Sequence, residues 1–191
     1  KQCLVGSEMC IRDRPIAAPS ANLSERTSVT NIMDIDPILV KKIFVLKDKQ
    51  SSHGLESTVV RIDTNNEIEV LRYGSITVEE LNKYAKVKIK KKSSISPGNL
   101  KKHYSTLKPI RMNAKRILKN EGLLNFGNNK LKSKIINLNL SNKKNLNEAA
   151  KNFYHYLHKL DQSRCKKIAV VEIPDKGLGK TINDRLRRAI K

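Results

Sequence analysis

The sequence has no tryptophan, and aromatic residues of all kinds occupy only 4% of its 191 positions. Its cysteines, Cys3, Cys10 and Cys165, are odd in number and contain no close C-x-x-C pair. That pattern argues against a disulfide scaffold and against a structural zinc site. No uncharged apolar run approaches the roughly 20 residues that a membrane span needs. Arg12, Asp13 and Arg14 interrupt any apolar core near the first residue, so a secretory signal pattern is missing there. A soluble, cytoplasmic protein without membrane contact is the expectation. Acidic residues are also scarce, and between 81 and 120 there are none, against 13 lysines and arginines.

What is present supports a folded protein. Apolar residues make up 38% of the chain and fall in periodic runs, so a core can be buried and general disorder is a poor reading. The formal net charge of +21 points to a polyanion such as tRNA. A blander source competes, because Lys, Asn and Ile are enriched together, as an AT-rich genome would encode. Lysine also outnumbers arginine, which leaves few groups suited to bidentate phosphate or base contacts. Both explanations stay open.

Residues 1–14 have no clear period and resemble translated adapter or read-through sequence, so they are expected to be non-native or unstructured. From Pro15 to Ser24 a short apolar strand runs into a loop of small polar residues. Asp36 and Pro37 read as N-cap and first position of a helix reaching about Ile43. Ile43 to Leu46 is apolar enough for a strand. Ser57–Ile62 and Ile68–Arg72 are β-branched runs around Asp63-Thr-Asn-Asn66, the pattern of a hairpin. Thr77-Val-Glu-Glu80 is a capping box opening a short helix to about Tyr84. Val87 and Ile89 alternate with lysines, as in a frayed edge strand.

Residues 15–92 therefore form one unit, 93–108 a basic linker with a Pro97-Gly98 turn, and 109–191 a second unit. In the second unit Ile135–Leu140 alternates as a strand. Asn145 caps a helix whose apolar face carries Leu146, Ala150, Phe153, Leu157 and Leu160. Lys167–Ile173 suits a buried parallel strand, and a final basic helix runs from Thr181 to Lys191. That order is an open α/β sheet.

Few local patterns carry chemistry. Gly177-Leu-Gly-Lys-Thr181 sits between strand and helix, but a phosphate-wrapping loop needs a glycine five residues before Gly-Lys-Thr, where this chain has Pro174. A glycine-permitted turn docking the last helix is the expectation. His155 and His158 lie three apart on one helix with no acidic or cysteine partner in view, so boundary histidines outweigh a metal site. Glu56 beside Ser57 and Thr58 has the residue types for acid/base work, although a strand-edge Ser/Thr pair bonding backbone is the usual meaning. The Ser20-Ala-Asn22 loop offers a hydroxyl and an amide able to hold a polar small molecule. No catalytic residue and no metal ligand is assigned.

Taken in order, several segments resemble one family. Ala18-Pro-Ser-Ala-Asn-Leu-Ser24, Gly54-Leu-Glu-Ser-Thr-Val-Val60 and Leu71-Arg-Tyr-Gly74 are similar to three consecutive motifs of threonylcarbamoyl-AMP synthases, which have the YrdC-like fold. Ser96-Pro-Gly98 with His103-Tyr104 resembles the linker of the long, two-domain form. Arg111-Met-Asn-Ala114, Leu123 to Gly127, and Gly177-Leu-Gly179 with Asp184-Arg-Leu-Arg187 resemble its C-terminal domain. The resemblance implies an α/β fold: the C-terminal half of a twisted YrdC-like domain, the basic linker, then a small Rossmann-like domain. It implies an enzyme that makes L-threonylcarbamoyladenylate from ATP, L-threonine and bicarbonate, with Mg2+ accompanying ATP. A downstream transfer complex would then deliver the group to tRNA.

By the same resemblance, Ser20 and Ser57 would bind L-threonine. Asn22, Thr30 and Arg72 would hold ATP or the adenylate, and Tyr104 would cover the nucleotide from a linker that acts as a lid. Together they would line a single cavity. The family's upstream K-x-R motif has no counterpart before Pro15, Lys47–His53 lacks its Asp-Gly-Gly turn, and Thr106 stands where proline is common. A fragment inactive on its own is therefore expected, which pyrophosphate release by the purified chain would refute. Two alternatives remain: a basic RNA-binding module without catalysis, and a hydrogenase-maturation type carbamoyltransferase, which the linker and second unit disfavour.

Overall fold

In the computed structural model, residues 21–23, 25–45, 51–89 and 104–190 are described. The first expected helix is short. Asp36 accepts from the Ile38 amide at 2.8 Å and Pro37 stands at the first position of α1, Pro37–Val40. The strand expected over Ile43–Leu46 is absent from its described residues, 43–45. Phe44 is 89% exposed and meets no sheet among the described residues, so apolarity alone did not make a strand there.

The hairpin forms as read, with β1 (Val59–Ile62) antiparallel to β2 (Ile68–Arg72). Its turn is built by Asp63, whose carboxylate accepts from the Asn65 and Glu67 amides at 3.0 and 2.9 Å. Asn66 takes the left-handed conformation at φ 56°, which asparagine tolerates better than most residues. The capping box opens α2 (Val78–Leu81): Thr77 Oγ1 accepts from the Glu80 amide and Glu80 accepts from the Thr77 amide. β3 (Val87–Lys88) then lies parallel to β2, giving the order β1-β2-β3.

The second sheet is wholly parallel, in the order β4-β7-β5-β6, from β4 (Ile110–Arg111), β5 (Glu121–Asn125), β6 (Asn137–Asn139) and β7 (Lys167–Val170). Every residue of β5 is buried, as a central parallel strand covered on both faces should be. Asn145 caps α3 (Leu146–Gln162) by accepting from the Asn147 and Glu148 amides. The expected apolar face is there, joined by the buried Ala149 and Tyr154. The last helix, α4, runs Leu178–Ala189 and begins three residues before Thr181, with Gly177 at φ 50° as its cap.

The linker's far end is tied to α3. Asp161 accepts from the amides of Leu107 and Lys108 at 2.8 and 2.9 Å. Lys108 Nζ donates to the carbonyls of Leu160, Asp161 and Ser163, a cation on the negative end of a helix.

Candidate functional site

The two units meet where the loop before β1 packs on the helices of the C-terminal unit. Gly54 has φ +68°, and a Cβ there would lie 2.3 Å from the Ala150 carbonyl oxygen, so only glycine lets the loop touch the α3 backbone. Gly74, after β2, packs equally close: an added Cβ would sit 2.3 Å from the Thr58 nitrogen. Its carbonyl accepts from Thr181 Oγ1 of α4 at 3.0 Å. The segments carrying Ser57 and Arg72 are thus pressed together and onto two helices.

Glu56 lies at the centre of this junction. One carboxylate oxygen accepts from Tyr154 Oη at 2.7 Å and from Ser28 Oγ, and the other accepts from Arg185 Nε at 3.1 Å. Arg185 is 1% exposed and also donates to the Tyr73 carbonyl and to Asp184, both at 2.6 Å. Its guanidinium lies 4.6 Å from the centre of the Tyr104 ring. Burial alone would push the Glu56 carboxyl up, but Arg185 and the Ser28 and Tyr154 hydroxyls outweigh it and hold the group below the ordinary carboxylate value. Burial also raises the Tyr154 phenol well above its usual value. With both carboxylate oxygens engaged, Glu56 is a structural anion, and the acid/base reading of the Glu56–Thr58 segment finds no support.

Next to this anion, Arg72 donates to the Ser57 carbonyl at 3.0 Å and to Ser57 Oγ at 3.1 Å. These two residues, assigned by the resemblance to the nucleotide and amino-acid sides, are in direct contact. Tyr104 is 2% exposed, at φ 65°, with its ring 6.1 Å from that of Tyr154. Burial raises its phenol, while Arg185, Arg72 and Arg188 oppose that shift. The ring expected to reach over a nucleotide is therefore packed on Arg185, within electrostatic reach of Arg72.

Asn22 belongs to a strip that borders the same junction. The Ser105 amide donates to the Glu25 carbonyl at 2.8 Å, and Arg26 bridges to Ser105 in parallel. Two residues on from Arg26, Ser28 reaches Glu56. Among the described residues, the amide oxygen of Asn22 and the hydroxyl of Thr30 are buried without a hydrogen-bond partner. Asn22 faces a cleft of about 170 Å³ shared with Arg26, Asp34, Leu107, His158 and Asp161, whereas Ser57, Arg72 and Tyr104 line the neighbouring junction. Ser20 lies outside the described residues.

Both helical histidines hold this strip to α3. His155 Nδ1 donates to Asp34 at 2.8 Å, and His158 Nε2 donates to the Ser28 carbonyl at 3.1 Å. Among the described residues, no group of three or more His, Cys, Asp or Glu side chains could hold a metal ion. The described residues thus offer no cluster of such ligands for Mg2+. Sequence reasoning passed over Tyr154 and Ser28, and quoted Arg185 only inside the Asp184-Arg-Leu-Arg187 motif, with no role. Arg185 had left a signal, since it falls on the buried face of α4 with Ile182, Leu186 and Ala189.

The model of the threonylcarbamoyl-AMP synthase C-terminal domain matches residues 76–190, well over half of the chain. The chain belongs to that family. A second family model, described as telomere recombination, matches residues 5–74. The curated threonylcarbamoyl-AMP synthase of Pyrococcus abyssi is 25% identical over 207 residues, spanning 94% of this chain and 58% of the relative. The chain thus covers a little over half the length of that relative.

The crystal structure of Pyrococcus abyssi Sua5 complexed with L-threonine aligns with a TM-score of 0.77 at 24% identity, over 93% of this chain and 58% of that one. A Pyrococcus abyssi Sua5 variant, with adjacent histidine and tyrosine both replaced by alanine, aligns at 0.69 and 23% identity, over 93% and 56%. The α/β fold is shared with both.

Proposed function

We propose that this chain serves synthesis of L-threonylcarbamoyladenylate, in which ATP, L-threonine and bicarbonate give threonylcarbamoyl-AMP, pyrophosphate and water. The product would feed threonylcarbamoyladenosine formation in tRNA through a downstream transfer complex. One observation supports the reading beyond family membership: among the described residues, Asn22 Oδ1 and Thr30 Oγ1 are buried without partners on the strip whose Ser28 reaches Glu56, the chain neighbour of Ser57. Leaving buried polar atoms unmade is costly, and a polar ligand at that strip would satisfy them.

In this reading Arg72 neutralises nucleotide phosphate charge. Asn22 and Thr30 bond the adenylate, and Ser57, with Ser20, orients the amino acid whose carbamate attacks the α-phosphate. Tyr104 covers the nucleotide side. One solved relative has alanines in place of an adjacent histidine and tyrosine; this chain has such a pair at His103 and Tyr104. Another was solved with L-threonine bound, in keeping with an amino-acid subsite. Mg2+ arriving with ATP would supply further charge neutralisation. No helix among the described residues is long and apolar enough to cross a membrane, and a cytoplasmic site of action fits the proposed role.

Calorimetric titration of the 191-residue chain with ATP and with L-threonine tests the reading. ATP binding is expected, weakened about tenfold or more by Arg72→Ala and by a smaller factor in Asn22→Ala. Failure of both ligands to bind at millimolar concentration would overturn it. The net charge of +21 keeps an RNA-binding module as the alternative. RNA affinity with a steep salt slope and no ATP dependence would favour it.

A further inference from the structure

We infer that Arg185, on the last helix of the C-terminal unit, is the positioning residue that fixes the Ser57–Arg72 pair through Glu56 and Tyr73. The inference rests on the functional reading above for what that pair binds. Its geometry stands apart from that reading.

The contacts run in one direction. Arg185 cannot reach solvent, being 1% exposed, and its donors are committed to Glu56, Asp184 and the Tyr73 carbonyl. Glu56 and Tyr73 directly adjoin Ser57 and Arg72 in the chain. One guanidinium therefore grips both segments on which the pair is mounted, one beside β1 and one beside β2. A planar fork with fixed donor directions transmits orientation as well as charge, which an ammonium does less well. Tyr154 fixes the other carboxylate oxygen from α3 at 2.7 Å. The Tyr104 ring lies against the guanidinium, so the same cation also seats the linker's end.

The two gripped segments are bonded to each other by backbone groups that report on their registry. The Ser75 amide donates to the Glu56 carbonyl at 2.8 Å, and the Ile76 amide donates to Thr58 Oγ1 at 3.0 Å. If Arg185 sets their alignment, these two amides should open when it is lost, while the parallel sheet stays closed. Asp184 is held independently by Arg188 at 2.9 Å, so the carboxylate beside Arg185 keeps a cationic partner in its absence.

Amide hydrogen exchange on the full chain tests this. In Arg185→Met, exchange at Ser75 and Ile76 should rise about tenfold or more. Leu123 and Val171, whose amides bond the Ile136 and Leu124 carbonyls, should be unchanged. Arg185→Lys should recover part of the protection. Arg187→Met, which removes a half-exposed cation from the same helix, should have no effect. Unchanged exchange at Ser75 and Ile76, or an equal rise throughout the chain, overturns the inference.

Should Arg185→Met fail to fold, Tyr154→Phe removes one donor to Glu56 and should speed the same two amides by about threefold. No change there also overturns it. An ATP titration separates the two levels. If ATP binds, Arg185→Met should raise its dissociation constant about tenfold, with recovery in Arg185→Lys. Absence of ATP binding by the unsubstituted chain sinks the functional reading alone.

Discussion

The C-terminal unit and the described part of the preceding unit bury their apolar residues very differently. Of the largest fully buried side chains, all but Tyr104 lie beyond residue 109. Met33, Phe44, Ile62 and Tyr84, all in the earlier part, are 66–89% exposed. The two sheets are similar in strand number, so strand count is not the cause. The parallel sheet has α3 and α4 to pack against, whereas among the described residues the β1-β2-β3 sheet presents Val60 and Ile62 uncovered. Two candidate binding groups, Arg72 on β2 and Ser57 just before β1, belong to the less-covered sheet, and their chain neighbours Tyr73 and Glu56 are bonded to Arg185 of the better-covered unit.

The sharpest way to test that asymmetry is a pair of truncations. Phe153→Ala, at a fully buried position of α3, should cost about 3–5 kcal/mol in urea unfolding, whereas Ile62→Ala should stay within about 0.5 kcal/mol. Gly54→Ala should cost about 2–4 kcal/mol, because it combines a left-handed backbone with a clash against the α3 backbone at Ala150 and Lys151. Its damage should fall on exchange within residues 54–76 before it reaches the parallel sheet.

Glu56→Gln should cost about 1.5–3 kcal/mol at neutral pH by weakening a charged hydrogen-bond set. The sign of its pH dependence follows from the lowered Glu56 value. The stabilisation is present above the unfolded-state value and is lost as pH falls through the folded one. Unfolding free energy of the parent should therefore drop over that acid range more steeply than that of Glu56→Gln. A smaller loss, about 1 kcal/mol, is expected for Asn145→Ala, which removes the α3 cap without touching the junction.

Legibility followed the range of the physics. The hairpin turn at Asp63, the capping box at Thr77 and the cap at Asn145 depend on residues within a few positions, and each formed where read. The central strand β5 escaped notice because Glu121-Gly-Leu-Leu-Asn125 is short, mixed in polarity and not β-branched. Its strand character comes from sheet neighbours on either side. Ile43–Val45 failed in the opposite sense, with strand-like residues and no partner strand among the described residues. At the site, Ser57 and Arg72 were named from motifs and prove to be bonded to each other. Tyr154 and Ser28 were missed, and Arg185 was quoted in a motif without a role, because their roles arise from contacts spanning 28 to 129 residues of sequence with Glu56.

By itself the sequence determined the α/β alternation, the turns and caps, and the family, since periodicity and ordered motifs are local properties of the chain. Only the tertiary structure decided that Glu56 is a buried structural anion, that Tyr104 rests on Arg185, and that two histidines pin the 27–34 strip to α3. A side chain's charge, partner and accessibility are set by what folding brings against it, and no spacing along the chain encodes that distance.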